Sequence, residues 1–84
     1  MNELESLKKR IIYRASYRGT KEMDILLGNF VNKYINEMNK SSLRELENFL
    51  NFEDEIILNF YHYNVHEKNI NLNKISKLFK NYKI

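Results

Sequence analysis

Hydrophobic residues recur along this 84-residue chain at intervals of three and four, the spacing that places them on one face of an α-helix. The longest stripe comprises Met23, Leu26, Leu27, Phe30, Tyr34 and Met38. It predicts a central helix over about residues 21–38. An earlier stripe consists of Leu4, Leu7, Ile11 and Ala15. This stripe predicts a first helix over about residues 2–18.

Three further helices are predicted in the second half of the chain. Ser42 and Glu45 have the spacing of a capping box ahead of a short apolar stripe, and Asp54 is a candidate cap or first-turn acid for a fourth helix. Residues 64–71 are polar and predict a loop, and apolar residues over about 72–82 predict the last helix. No stretch shows the alternation of a strand. The predicted fold class is therefore all-α, a single domain over residues 1–84 built as a small bundle of about five short helices.

The sharpest break in the helical pattern is the segment from Arg18 to Asp24. Gly19 is one of only two glycines in a chain without proline, and its position predicts the end of the first helix in a left-handed conformation. Arg18 would then lie in the last turn, where the helix dipole favours a cation. Thr20 is a candidate N-cap for the next helix, and Glu22 and Asp24 bring negative charge to its first turn. The segment predicts a corner between two helices.

The composition indicates a small domain with a mixed surface charge. A chain of this length buries roughly 60% of its unfolded surface, so its core is modest. The chain has 14 basic and 11 acidic residues, and the resulting net charge of +3 is a weak reason to expect nucleic acid as a partner. The absence of cysteine excludes disulfides and thiolate chemistry. Because there is no long apolar run and the chain begins with the acidic Glu3-Leu4-Glu5, we expect a cytoplasmic protein that does not enter a membrane.

Catalytic and metal-binding patterns find little support. His62 and His66 are four residues apart, which places two imidazoles on one helix face, but neither a third ligand nor the glutamate of a zinc-protease motif accompanies them. Glu22 and Asp24 diverge by about 200° around a helix, so they do not form a catalytic carboxylate pair. Because the chain also lacks a recognisable nucleophile or histidine dyad, we expect a protein that is not an enzyme and holds no metal.

The corner carries more polar groups than a helix end requires, and its residues resemble a known family. Arg18, Gly19 and Glu22 match an Arg-Gly-x-x-Glu signature, and residues 23–30 are similar to the acidic and apolar run that continues it. The signature is typical of the SdhE-type flavinylation factors. These are short bacterial and mitochondrial proteins that promote covalent attachment of FAD to the flavoprotein subunit of succinate dehydrogenase.

A second motif extends the resemblance over most of the chain. Residues 54–60 are similar to the family's Asp followed by apolar residues and an aromatic, with Phe60 in place of the usual Trp. In this family a histidine of the client subunit attacks the 8α-methyl of FAD, so that client and cofactor supply the reacting groups. The resemblance implies an assembly factor with no stably bound cofactor, which acts on the FAD carried by its partner.

The resemblance also implies a client-binding surface at the corner. Arg18 and Glu22 would make charge-assisted contacts with the client, Gly19 would let two backbones approach, and Tyr17 and Asp24 would extend the surface. We expect the motif to be exposed, so that alanine at position 18 or 22 leaves the domain folded. The implied partner is the succinate dehydrogenase flavoprotein, with the fumarate reductase flavoprotein as a second candidate client, and we expect the free factor to be a monomer.

Two other function classes stay open at this point. A small basic helical module could bind nucleic acid, as an antitoxin-like or regulatory protein does, through Lys74, Lys77 and Lys80 in the last helix. Such binding should weaken steeply as salt rises and should not depend on Glu22. The chain could also be an interaction module for an unrelated partner, which a pull-down that captures no flavoprotein would favour.

Overall fold

The chain forms five α-helices over the residues that the computed structural model describes, which are 2–63 and 73–83. The helices are α1 (Glu3–Ser16), α2 (Lys21–Tyr34), α3 (Lys40–Phe49), α4 (Asp54–Tyr63) and α5 (Lys74–Asn81). A short 3-10 turn, Ile35–Glu37, continues α2, so the central helix ends about one turn earlier than predicted. Within the described ranges there is no strand, and the all-α prediction is confirmed.

Four of the helices begin at a polar side chain that accepts a hydrogen bond from the backbone N–H three residues later. These N-caps are Asn2, Thr20, Asn39 and Asn73. The prediction that Thr20 caps the second helix is confirmed. The predicted capping box at Ser42 is wrong, because Asn39 caps α3 and its side chain accepts from Ser42 N at 2.8 Å. The capping box of the chain lies instead at α5, where Asn73 and Ser76 satisfy each other's backbone N–H groups.

The first helix ends sooner than its periodicity predicted. Tyr17 is the C-cap of α1, and its N–H donates to Tyr13 O. Arg18 therefore lies beyond the helix and not in its last turn, which corrects the role assigned to it at the helix dipole. Gly19 has a φ of +118°, so the prediction of a positive φ at this glycine is confirmed.

The second half of the chain agrees with the prediction in outline. Asp54 is the first residue of α4 and a first-turn acid, as proposed. The last helix begins at Lys74 and ends at Asn81. The predicted loop over residues 64–71, His66 and the predicted start of the last helix at residue 72 lie outside the described residues.

One hydrophobic cluster receives side chains from all five helices. Its centre is aromatic, because the Phe79 ring lies 5.1 Å from Phe30 and 5.2 Å from Phe49, measured between ring centroids. Leu4 was predicted on the apolar face of the first helix, but it is exposed and lies outside this cluster. The helices α1 and α2 approach closely at Gly28, where an added Cβ would lie 3.3 Å from Ser16 Oγ.

Arginines spaced four residues apart along α1 connect this helix to α3 and to the turn that follows it. Arg10 Nε donates to Glu47 Oε2 at 2.6 Å, and Arg14 donates to Asn51 Oδ1. The hydrogen bond from Arg10 lowers the pKa of the Glu47 carboxyl below its usual value, and the same bond raises the pKa of Arg10. The side chain of Arg10 is 56% exposed, so this pair contributes little to stability.

Arg18 makes the third and most buried of these connections, which we call the Arg18 clamp. Its guanidinium donates from Nε to Asp54 Oδ1 at 2.8 Å, from Nη1 to Leu50 O at 2.7 Å and from Nη2 to Phe52 O at 2.7 Å. Only 11% of the side chain is exposed. The clamp thus ties the α1–α2 corner to the turn between α3 and α4, and it occupies the carbonyl of Leu50, the C-cap of α3, which has no partner within the helix. The expectation that Arg18 is a surface residue is wrong.

We expect Arg18→Ala to lower the free energy of unfolding by about 2–4 kcal/mol, because it removes three hydrogen bonds of a charged donor and leaves Asp54 without its partner. For a domain of this size, each kcal/mol corresponds to a fall in Tm of roughly 4–8 °C. The free energy of unfolding of Arg18→Lys should lie between those of the wild type and Arg18→Ala, because a lysine keeps the charge but cannot reproduce the planar guanidinium.

The control for this experiment is Arg10→Ala, which removes an exposed arginine of α1 and should lower the free energy of unfolding far less than Arg18→Ala does. Thermal and urea unfolding of the four proteins measure these differences. An Arg18→Ala protein as stable as Arg10→Ala would contradict a structural role for the clamp.

Candidate functional site

The five residues predicted for the client-binding surface separate into an inner and an outer group. Arg18 and Asp24 form the inner group, since Asp24 Oδ1 accepts a hydrogen bond from Arg18 N at 2.5 Å while the Arg18 side chain makes the clamp. Tyr17, Gly19 and Glu22 are exposed and form the outer group. The first turn of α2 therefore holds the corner closed from one side and the clamp holds it from the other.

Two neighbouring tyrosines with tilted rings form the aromatic part of the outer surface. Tyr17 and Tyr13 are 69% and 66% exposed, and their ring centroids are 4.7 Å apart. They are four residues apart, at positions that the Leu7–Ile11–Ala15 stripe leaves on another side of α1. Sequence reasoning named Tyr17 but missed Tyr13. The available signal was the four-residue spacing of two tyrosines outside the buried stripe.

Gly19 is an exposed position with open space above its backbone. A Cβ built on it meets no atom within 4 Å, so the space above this backbone is free. The need for glycine comes from the φ of +118°, which L-residues rarely adopt. Position 19 thus combines a bare backbone with an unobstructed approach.

Glu22 connects the outer surface to α4. Its Oε1 lies 3.6 Å from His62 Nε2, and both side chains are largely open to solvent. The first turn of α2 therefore lies beside the last turn of α4. The histidine pair that suggested a metal site is not described in full, since His66 lies outside the described residues. Within residues 2–63 and 73–83, no group of three or more histidine, cysteine or acidic side chains could hold a metal ion.

The three lysines that suggested nucleic-acid binding do not form one uniform exposed face. Lys74 and Lys77 are exposed, whereas Lys80 is partly buried and donates to Phe60 O at 3.0 Å. The Lys80 ammonium also lies 4.6 Å from the centroid of the Phe60 ring. Lys80 therefore helps to attach α5 to α4, and the lysines that remain free are too few for a continuous phosphate-binding stripe.

None of the helices in the described part of the chain is long and apolar enough to cross a bilayer.

Comparisons with known proteins agree with the resemblance at the corner. A family model described as "Flavinator of succinate dehydrogenase" matches residues 9–83. Among similar proteins, "Succinate dehydrogenase assembly factor 2, mitochondrial" of Dictyostelium discoideum is 35% identical over 60 residues, which are 71% of this chain and 43% of that protein. "FAD assembly factor SdhE" of Acetobacter pasteurianus is 38% identical over 53 residues, which are 63% of this chain and 49% of that protein.

A yeast protein gives the same result over a shorter region. "Succinate dehydrogenase assembly factor 2, mitochondrial" of Saccharomyces cerevisiae is 40% identical over 48 residues, which are 57% of this chain and 30% of that protein. The matched regions thus span less than half the length of these three relatives. No solved structure matches the chain. Because the family model covers nearly all of its length, the chain belongs to the family of flavinators of succinate dehydrogenase.

Proposed function

We propose that this protein is an assembly factor that binds the flavoprotein subunit of succinate dehydrogenase and promotes covalent attachment of FAD to it. The observation that carries the proposal is the family match over residues 9–83, which includes the whole corner. The exposed Tyr17, Gly19 and Glu22 support it, because they present an aromatic face, a bare backbone and a carboxylate side by side. The nucleic-acid alternative is not favoured, since the family match points to a flavoprotein and one of its three lysines is used inside the fold.

The protein acts by binding and not by chemistry of its own. The client supplies the histidine and the cofactor supplies the reactive 8α-methyl carbon, so the factor needs only to favour the conformation in which the two are aligned. A factor that binds the aligned conformation 1.4 kcal/mol more tightly than the others raises its population about tenfold. A contact surface of ordinary size can supply such a difference.

The residues of the corner then have two kinds of role. Glu22, Tyr17 and Gly19 contact the client directly, with the carboxylate of Glu22 meeting a donor and the backbone at Gly19 lying against the client's backbone. Arg18 and Asp24 act through the surface that they hold in place. No cofactor stays bound to the factor, which works as a monomer in the cytoplasm, and the fumarate reductase flavoprotein is a second candidate client.

Co-expression of the factor with the succinate dehydrogenase flavoprotein subunit from the same genome should increase covalent flavin on that subunit. The measurement is in-gel flavin fluorescence of the denatured band, which reports only covalently attached FAD. The control is the flavoprotein expressed alone, at matched level and under limiting FAD. Equal fluorescence with and without the factor would remove the main support for the proposal.

Glu22→Ala and Tyr17→Ala should leave the fold intact and weaken client binding. Both side chains are exposed, so each change should alter the free energy of unfolding by less than about 0.5 kcal/mol, with a few tenths more at position 22 from the helix end. If the Glu22 carboxylate is paired and buried in the complex, its loss should cost roughly 2–5 kcal/mol of binding.

Glu5→Ala is the matched control for position 22, because Glu5 is an exposed first-turn acid of α1. Thermal unfolding and a binding titration with the purified flavoprotein measure the two effects. Loss of stability in Glu22→Ala without loss of binding would assign this residue to the fold.

D-Alanine at position 19 should separate the two roles of the glycine. The φ of +118° lies well beyond the left-handed helical region near about +57° that Asn tolerates, so Gly19→Asn and Gly19→Ala should both be strained. A D-residue accepts positive φ without this strain and still adds a methyl group to the surface. We expect a protein that melts like the wild type and flavinylates its client poorly.

Chemical synthesis makes this variant accessible. The chain has no cysteine, so ligation through a temporary cysteine at Ala15 and desulfurisation restores the natural residue selectively. The control is the same synthetic chain with glycine at position 19. Normal flavinylation by the D-alanine protein would show that the glycine serves the corner alone.

A further inference from the structure

An open groove of about 500 Å³ runs beside Tyr13 and Tyr17, on the side of α1 that faces the beginning of α4. Its walls are formed by Tyr13, Arg14, Tyr17, Arg18, Glu53, Asp54 and Glu55. Apart from Tyr17 and Arg18, none of these residues belongs to the surface assigned to client binding above. The groove continues that surface away from Gly19.

The charges of this groove are not balanced once the internal contacts are counted. Arg18 pairs with Asp54, whereas Arg14 donates to Asn51 just beyond the end of α3 and lies 3.9 Å from Glu47 Oε2. Glu53 and Glu55 are exposed and make no ion pair with another described residue. Two carboxylates are therefore left facing solvent at the rim of an aromatic-walled groove, on a chain whose net charge is +3.

We infer that this groove receives a basic side chain, an arginine or a lysine, of the client flavoprotein. The inference rests on the proposed function for the identity of the partner. A cation between the tyrosine rings and the two carboxylates gains both cation–π attraction and charge-assisted hydrogen bonds. The two tyrosine rings already lie against each other in the free protein, so little side-chain order has to be imposed when the cation enters.

The same features argue against a phosphate group in the groove. A phosphate would meet two uncompensated carboxylates, while the arginines that could receive it are held by protein acceptors. The chemistry of the walls thus selects a cation and rejects an anion.

The test is a binding titration with the purified succinate dehydrogenase flavoprotein subunit. Glu53→Gln combined with Glu55→Gln should weaken binding about tenfold and reduce its dependence on salt. Carboxylates that pair with a cation at the rim add to the affinity and also make it sensitive to salt. Tyr13→Leu keeps an apolar side chain but removes the π face, and it should weaken binding several-fold.

The matched control is Glu3→Gln combined with Glu5→Gln. It changes the net charge by the same amount and also lies at the start of a helix, but on the far end of α1. Its affinity should stay at the wild-type value. If both double variants bind alike, the groove does not receive a cation and the inference is overturned.

The occupant is identified by cross-linking with p-benzoylphenylalanine in place of Tyr13, followed by mass spectrometry of the purified complex. The expected adduct lies on a client segment that contains an arginine or lysine, and replacing that residue by glutamine should weaken binding as much as the Glu53/Glu55 variant does. An adduct to a second copy of this chain, or to a client segment without a basic residue, would overturn the inference.

The two proposals fail in different ways. If the wild-type factor binds the flavoprotein and raises covalent flavin while the groove variants match their control, only the groove inference fails. If the wild-type factor binds, the groove variants weaken binding, and covalent flavin does not rise, only the proposed function fails. If the wild-type factor does not bind the flavoprotein, both are wrong.

Discussion

The guanidinium of Arg18 is the interaction on which the arrangement of this small domain depends. It joins two connections that are distant in the chain, the α1–α2 corner and the turn from α3 to α4, through three hydrogen bonds. Each hydrogen bond of a charged donor contributes more than a neutral one, and the partial burial of the side chain protects all three from water. A domain with a modest core gains from such a polar connection where apolar area is limited.

The clamp also explains how a corner can be both bare and well defined. Gly19 removes a side chain from the surface and by itself would make the backbone freer. On one side of the glycine Arg18 is fixed by the clamp, and on the other side Thr20 caps α2 through Met23 N. Asp24 closes the same corner by accepting from Arg18 N. The exposed groups beside Gly19 are therefore attached to a backbone that can adopt few other conformations.

Much of the fold could be predicted from the sequence, because helix positions follow from a local pattern. The apolar stripes found all five helices, and Thr20 was identified as a cap from its place after a glycine. The error at Ser42 has a local cause, since Asn39 is an equally good cap three residues earlier and an added turn buries Ser42 in α3. The early end of α1 was missed because Ser16 and Tyr17, where the helix ends, are not helix-breaking residues, and the first such residue is Gly19.

The site was predicted less completely, for a reason that lies in the distances along the chain. The partners of Arg18 are 32 to 36 residues away, and no periodicity within a helix reveals a contact of that kind. An arginine beside a glycine therefore looked like an exposed binding residue when it is mainly an internal one. Tyr13 was missed for another reason, because its four-residue spacing from Tyr17, outside the buried stripe of α1, was not used to recognise an exposed pair.

The internal position of Arg18 bears on how mutations in the motif are to be interpreted. A loss of flavinylation in an Arg18 variant can arise from a change in the backbone of the α1–α2 corner, because the clamp supports the surface on which Gly19 and Glu22 lie. A loss in a Glu22 variant is more directly a loss of contact, since that carboxylate is exposed and its one ion-pair partner among the described residues is His62. A factor that works by differential binding needs its contact groups to be held before the client arrives, because any ordering on binding reduces the difference it can exert. The internal arginine is thus as necessary to the proposed function as the exposed glutamate, although it acts from inside the fold.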